Sequence, residues 1–267
     1  MTRIIQLSVL IVATCSMSAA MACTAGAWDG GVTGDPSPLG DTPESALPRV
    51  SGVCAMTLTA EGSVKDTSPV AEPKAFIRFY VLAELNSGNP VIFEAFSDDA
   101  ATASLLTVAF DGMDFTFSAG DNALPATGKT GWNMIELAWT GGGTMDYWVN
   151  VDSSEAATGT VNAIPGTMES VILGVPAIPN GAGDGPLVAG LDGKLIFDDY
   201  ESHRETAIGE LLAGDANKDD GINSGDIDMV VNEFLFSTLA EGVVDCNLDG
   251  SVNSGDIDCI VAIFLGL

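Results

Sequence analysis

The stretch NSGDID stands at Asn223–Asp228 and again, letter for letter, at Asn253–Asp258. Each copy closes a twelve-residue frame. The first frame is Asp215-Ala-Asn-Lys-Asp-Asp-Gly-Ile-Asn-Ser-Gly-Asp226, and the second is Asp245-Cys-Asn-Leu-Asp-Gly-Ser-Val-Asn-Ser-Gly-Asp256. Both put oxygen-bearing side chains at positions one, three, five, nine and twelve. A tight loop wrapped around one hard cation turns alternate side chains inward, and the carbonyl at position seven adds a further oxygen.

That spacing is the EF-hand spacing, and it selects calcium, which takes six to eight oxygens at about 2.3–2.6 Å. Two ions are expected. The candidate ligands are Asp215, Asn217, Asp219, the Gly221 carbonyl, Asn223 and Asp226 for one, and Asp245, Asn247, Asp249, the Ser251 carbonyl, Asn253 and Asp256 for the other. Position six must turn sharply, and Asp220 stands there in the first loop where the second has Gly250. An L-residue tolerates a left-handed conformation only at a cost, so the first loop is expected to bind more weakly. Position eight is apolar in both copies, Ile222 and Val252, as expected if the loops lie side by side through a short strand-like contact.

Each loop runs into an amphipathic helix. Ile227, Val230, Val231 and Phe234 in the first, and Ile257, Ile260, Val261 and Phe264 in the second, follow the i, i+3, i+4, i+7 rule, so the two faces are expected to bury one another. Neither half is large enough to hold a core alone, and ion binding should supply much of the folding free energy.

The unit departs from an ordinary EF-hand pair. Position twelve is Asp rather than the longer Glu, and only Ser237–Val244 separate the first helix from the second loop, too few for a full entering helix. The pattern is loop–helix, loop–helix. Over Gly214–Leu267 it resembles the type I dockerin domain, which clips secreted polysaccharide-degrading proteins onto cohesin domains of a scaffold protein. The resemblance implies calcium at the ligands just named. It also implies cohesin recognition by positions ten and eleven, here Ser224-Gly225 and Ser254-Gly255, an identical pair that would let either half face the partner.

Upstream, the chain reads as four segments: a signal peptide over 1–22, an irregular arm over 23–69, a sandwich over 70–208 and the dockerin-like module over 209–267. The signal is inferred from Arg3, the apolar run from Ile4 to Ala13 and the small-residue triplet before Cys23. The apolar run is too short to span a membrane, so the protein is expected to be secreted; lipid attachment at Cys23 is the alternative. The arm is rich in Gly, Pro, Ser and Asp, with one short alternating piece at Met56–Ala60.

From Lys74 the runs KAFIRFYVLAEL, PVIFEAF, LLTVAF, MDFTFSA, WNMIELAW, MDYWVNV, GTVNAI, ESVILGV and KLIFDDY are β-formers, mostly alternating, between Gly, Pro, Asn or Asp clusters. Asp111-Gly112 and Gly141-Gly142-Gly143 mark hairpins. The expected fold class is mainly β: an antiparallel β-sandwich or jelly roll followed by a small helical module. Ala75–Glu205, with AFIRFYVLAEL, GWNMIELAW…MDYWV and GKLIFDDYESHRETAIG, resembles concanavalin A-like (laminin G-like) lectin and glucanase sandwiches, which implies a carbohydrate-binding role or, alternatively, a glycoside hydrolase.

Composition narrows the partners. With 9 basic against 37 acidic residues and a net charge of −28, the chain is unsuited to neutralising phosphates, so no nucleic acid is expected. Acidity of this kind favours solubility and hard cations. Once the signal is removed the cysteines fall into two pairs, Cys23 with Cys54 and Cys246 with Cys259, as suits one disulfide at each end in an oxidising compartment; small half-buried thiols are the alternative.

No catalytic residue is assigned. Retaining glycoside hydrolysis needs two carboxyls roughly 5–5.5 Å apart, and Glu94 and Glu136 each lack a second acid on their own strand face. Asp199 and Glu201 come nearest, within a charged closing strand. The single histidine, His203, lies in a polar run with no nucleophile signature beside it. For polysaccharide the useful residues would be exposed rings, and Tyr147 and Trp148 are the candidates. Trp132 and Trp139 lie seven apart, hence on opposite strand faces, as do the adjacent Tyr147 and Trp148, so one of each pair is expected in the core.

Overall fold

The computed structural model describes residues 28–34, 36–38, 48–52, 55–162, 166–176, 191–236 and 238–267. The expected signal segment, Cys23 and Cys54 lie outside the described residues. Among the described residues no helix is long and apolar enough to cross a membrane.

Two antiparallel sheets face each other. The first runs, in spatial order, β1 (Gly31–Gly34), β4 (Gly62–Asp66), β13 (Ser170–Val175), β6 (Val91–Phe96), β7 (Ser104–Phe110), β8 (Asp114–Ala119) and β9 (Asn122–Thr127). The second runs β12 (Gly159–Asn162), β11 (Thr144–Val149), β10 (Asn133–Thr140), β5 (Lys74–Ser87), β14 (Asp192–His203), β3 (Met56–Leu58) and β2 (Ser37–Pro38). Both expected hairpins form: Gly112 has φ +100° between β7 and β8, and Gly143 has φ +99° between β10 and β11. The segment read as an irregular arm contributes β1 to β4, which extend the two sheets beyond β13 and β14, with only β1 and β2 at the edges.

Alternation on β5 and β10 sends Ala75, Ile77, Phe79 and Val81, with Ile135, Leu137 and Trp139, between the sheets. Phe79 stacks on Phe93 at 5.4 Å there, and Tyr147 lies flat on Phe117 at 3.9 Å. The opposite face of the second sheet is also buried. Tyr80, Leu82, Trp132, Met134 and Ile196 form a second apolar cluster with Val50, Ala55, Val243 and Leu248. Trp132 and Trp139 are therefore both buried, at 0% and 1% exposure, because one lies between the sheets and the other under the C-terminal segment.

That segment crosses the sheet on polar anchors before it folds. Glu136, fully buried, accepts the N–H groups of Ile208 and Gly209 at 2.8 and 2.9 Å, Arg78 donates to the Gly209 carbonyl at 2.8 Å, and Leu211 N–H donates to Tyr80 Oη at 3.0 Å. Two helices follow, α1 (Ser224–Phe236) and α2 (Ser254–Leu265), packed on each other through Val230 and Ile260. Asn253 caps α2: its side chain accepts from Gly255 N–H, Asp256 returns a bond to the Asn253 N–H, and Gly266 ends the helix at φ +68°.

The helix stripes bury less than expected. Val230 and Ile260 are fully buried and Ile227 and Ile257 are packed beside them, but Phe234 and Phe264 are 46% and 50% exposed. The core between the helices is small, built on Ala216, Ala240, Val244 and Cys246, and ends a turn before either phenylalanine. Ile222 and Val252 pack at the edge of this core without forming a strand pair. The halves are joined instead where Gly242 and Val243 N–H donate to the Ala216 and Asp215 carbonyls at 3.0 and 2.8 Å.

Candidate functional site

The two loops are wired alike. Asp215 Oδ1 and Oδ2 accept the N–H groups of Asp219 and Asp220 at 3.1 and 3.0 Å, and Asp245 does the same for Asp249 and Gly250 at 3.0 and 2.7 Å. Asn217 Oδ1 and Asn247 Oδ1 each accept the N–H two residues on at 2.9 Å, and Asp219 and Asp249 accept from Gly221 and Ser251. Asp226 Oδ1 takes Ala216 and Asn217 N–H while Oδ2 takes Asn223; Asp256 takes Asn247 and Asn253 likewise. Position twelve thus draws each loop shut on its own start. The Ser251 carbonyl accepts from Asn253 Nδ2 at 3.1 Å.

Short side chains that fold back onto backbone N–H groups are what Asp and Asn do outside helices, which is why this composition makes a loop here. The donor set is entirely oxygen, as a hard cation requires. Asp226 and Asp256 are fully buried. Asp245 is pushed up to about 7, first by burial and then by the charges of Asp256 and Asp249, so this carboxylate is held among like charges with too little compensation. Asp256 is pushed up by burial as well, and this gathering of carboxylates around the second loop fits a divalent cation. Among the described residues no three His, Cys, Asp or Glu side chains converge on one ion position by themselves; in each loop the acids alternate with Asn and a backbone carbonyl.

Cys246 and Cys259 form a disulfide, with Cα atoms 6.0 Å apart, and tie the start of the second loop to the middle of α2. Ser224 and Ser254 are exposed and Gly225 and Gly255 half-buried, so both repeated pairs lie on the surface at the N-terminus of their helices. The helix ends add exposed apolar residues, Phe234 to Phe236 on one and Ile263 to Leu265 on the other.

The sandwich offers less. Tyr147 and Trp148, named as candidate sugar platforms, are 2% and 8% exposed: Tyr147 is stacked between the sheets, and Trp148 Nε1 donates to the Glu155 carbonyl at 3.1 Å. Neither presents a free ring face. Glu136 serves as the anchor for residues 208 and 209, and Glu94 is a lone carboxylate pushed up by burial. Asp199 and Glu201 are separated by an irregularity in β14, where Asp199 has φ +48°. Glu201 pairs with Arg78 at 2.7 Å and has His203 Nε2 at 2.8 Å, so the two acids do not make an open pair.

Sequence reasoning missed the attachment of the loops to the sandwich. Arg49 and Glu233, each almost fully buried, pair at 2.5 Å between the upstream arm and α1, and Glu233 also accepts the Ala240 N–H at 2.9 Å. Asp198 Oδ2 accepts the N–H groups of Val50 and Ser51 at 2.6 and 3.1 Å, with its carboxyl pushed well up by burial and then by Asp199. The available signal was the nearly unbroken apolar run of β5 through Tyr80 and Leu82, which marks a strand covered on both faces.

Residues 213–264 match the dockerin type I domain. No curated protein matches the chain. Among solved structures the chain is similar to the binding domain of botulinum neurotoxin serotype G, with a TM-score of 0.39 and 9% identity over 59% of this chain and 41% of that one. It is also similar to the ligand binding domain of botulinum neurotoxin serotype D in complex with N-acetylneuraminic acid, with a TM-score of 0.41 and 8% identity over 63% and 43% of the two chains. A third is the cellulose induced protein Cip1, with a TM-score of 0.44 and 17% identity over 60% and 83%. The chain spans about two-fifths of the length of the serotype G chain it matches. The C-terminal region is thus a type I dockerin domain behind a β-sandwich, and type I dockerin domains bind calcium.

Proposed function

We propose that the chain is a secreted component of a scaffold-borne, polysaccharide-degrading assembly: calcium fills both loops, the dockerin domain binds a cohesin domain, and the sandwich is a non-catalytic module that binds polysaccharide. The division is at about residue 209, with the sandwich, its strands β1 to β4 included, ahead of it and a leader over 1–22 removed on export. The observation that carries this reading is the surface placement of Ser224-Gly225 and Ser254-Gly255, both open to a partner although the domain that bears them is fastened to the sandwich. Calcium, when bound, neutralises the gathered carboxylates and holds the loops that present these pairs.

The cohesin reading is tested by passing the full chain over a panel of immobilised type I cohesin domains in calcium and in EDTA. Binding is expected in calcium alone. It should survive Ser224→Asp or Ser254→Asp singly and be lost in the double variant, since either half can serve. No binding to any cohesin in calcium would sink it. For the sandwich, polysaccharide pull-down without release of reducing sugar is expected; release would favour a glycoside hydrolase. Calcium-dependent folding without a cohesin partner would leave a calcium-stabilised adhesin.

A further inference from the structure

The second calcium loop is built partly on the sandwich, and the first is not. Leu248, at position four of the second loop, is 7% exposed in the cluster with Trp132, Leu82 and Tyr80. Its carbonyl accepts the Trp132 N–H at 2.8 Å. The fit is close: Gly131 has φ +90°, and a Cβ there would lie 2.3 Å from that carbonyl oxygen and 3.1 Å from Asp249 Cα. At position six, a Cβ on Gly250 would come within 3.0 Å of Leu82 Cδ2. The matching residues of the first loop, Lys218 and Asp220, are exposed.

We propose that Leu82 and Trp132 of the sandwich, acting on Leu248, are positioning residues for the second calcium site, which therefore binds the ion first and more tightly, and whose occupancy stabilises the sandwich as well as the tail. This rests on the reading of the loops as calcium sites. The physical ground is preorganisation. An ion that must order a loose twelve-residue loop loses part of its binding free energy to that ordering, whereas a loop already held at positions four and six has met the cost in folding. An ion that binds only the held form in turn favours that form and whatever holds it, here the outer face of the second sheet. None of the three contacting side chains, Leu248, Leu82 and Trp132, is a ligand, so the effect passes through the backbone of Leu248 to Asn247 and Asp249 on either side.

The test is a calorimetric calcium titration of the full chain, with the sites assigned by Asp226→Ala and Asp256→Ala. Two classes of site are expected, the tighter lost in Asp256→Ala and kept in Asp226→Ala. Leu248→Ser should weaken only the tighter site, by about tenfold or more for the loss of one buried leucine contact, while Leu248→Met retains it. Leu82→Ala truncates the same contact from the sandwich side and should act in the same direction, which separates positioning from damage to the loop. The calcium-dependent rise in the sandwich melting temperature should shrink in parallel. Two equal sites, a tighter site that follows Asp226, or variants that weaken both sites alike or neither would overturn the inference. Absence of any calcium binding would overturn the calcium reading itself.

Discussion

The first loop, Asp215–Asp226, holds Lys218, Asp219 and Asp220 in solvent, while the second, Asp245–Asp256, buries Leu248 and Gly250 against the sandwich. Their ligand wiring is nearly superimposable, so the asymmetry lies in the residues that the ligand pattern leaves free. The halves are also fastened by different chemistry. The first is anchored through α1 by the buried pair Arg49–Glu233, and the second by an apolar cluster, with a disulfide bracing its own loop against its own helix. The ion-facing positions and the Ser-Gly pairs are the same in both copies, while positions four and six differ, so that the second loop is seated on the sandwich and the first loop faces solvent.

The largest effect that would sharpen this contrast comes from the ionic anchor. Arg49→Ala leaves Glu233 buried with only the Ala240 N–H for compensation, and breaking such a pair costs about 3–5 kcal/mol. Urea unfolding in saturating calcium should show that loss. Replacing both partners together, as Arg49→Met with Glu233→Leu, should recover most of it, since paired buried charges give little net stability over apolar packing. A small effect of Arg49→Ala would place the first half's anchor elsewhere.

The disulfide is next. Positions two and fifteen are Cys246 and Cys259 in the second half but Ala216 and Met229 in the first, where the same neighbourhood is filled by apolar contact. Closing a loop of 13 residues is worth about 3 kcal/mol in the chain-entropy view. Cys246→Ser with Cys259→Ser, or reduction, should lower stability by that order and weaken calcium binding at the second loop more than at the first. Equal weakening would mean that the bridge supports the domain as a whole rather than its own half.

The loops, the helices and the two-sheet architecture were legible because each is a local pattern: oxygen spacing, a 3.6-residue stripe, strand alternation broken by turn residues. What escaped was non-local. Phe234 and Phe264 fit the stripe, yet whether a stripe is buried depends on how far the partner helix reaches, and the short core stops before them. Tyr147 and Trp148 alternate correctly on β11, and alternation gives one buried face for free; Trp148, on the other face, donates to the Glu155 carbonyl, while that same sheet face is roofed at Glu136 and Tyr80 by residues 208–211, far along the chain. Arg49 and Glu233 are separated by 184 residues, and no spacing rule joins an acid to a base across such a distance.

The smallest expected effect bears on position six of the two loops. Asp220 sits at φ +63° where Gly250 sits at φ +92°, and a side chain in that left-handed region costs about 1 kcal/mol relative to glycine. Asp220 is exposed and its side chain is not among the expected ligands, so Asp220→Gly should relieve strain without opening a cavity. It also removes one negative charge from the loop, which acts against calcium affinity but at a solvent-screened distance. The backbone effect should dominate at physiological salt, raising affinity at the first loop by about fivefold for each kcal/mol relieved, with the second loop unchanged. The reverse exchange is not its mirror image. Gly250→Asp would put a Cβ 3.0 Å from Leu82 Cδ2 as well as forcing an L-residue into the left-handed region, so it should disturb the sandwich contact and cost more than Asp220→Gly gains. A titration in which the two substitutions had equal and opposite effects would mean that the sandwich does not press on the second loop, and the contrast between the halves would reduce to a single backbone angle.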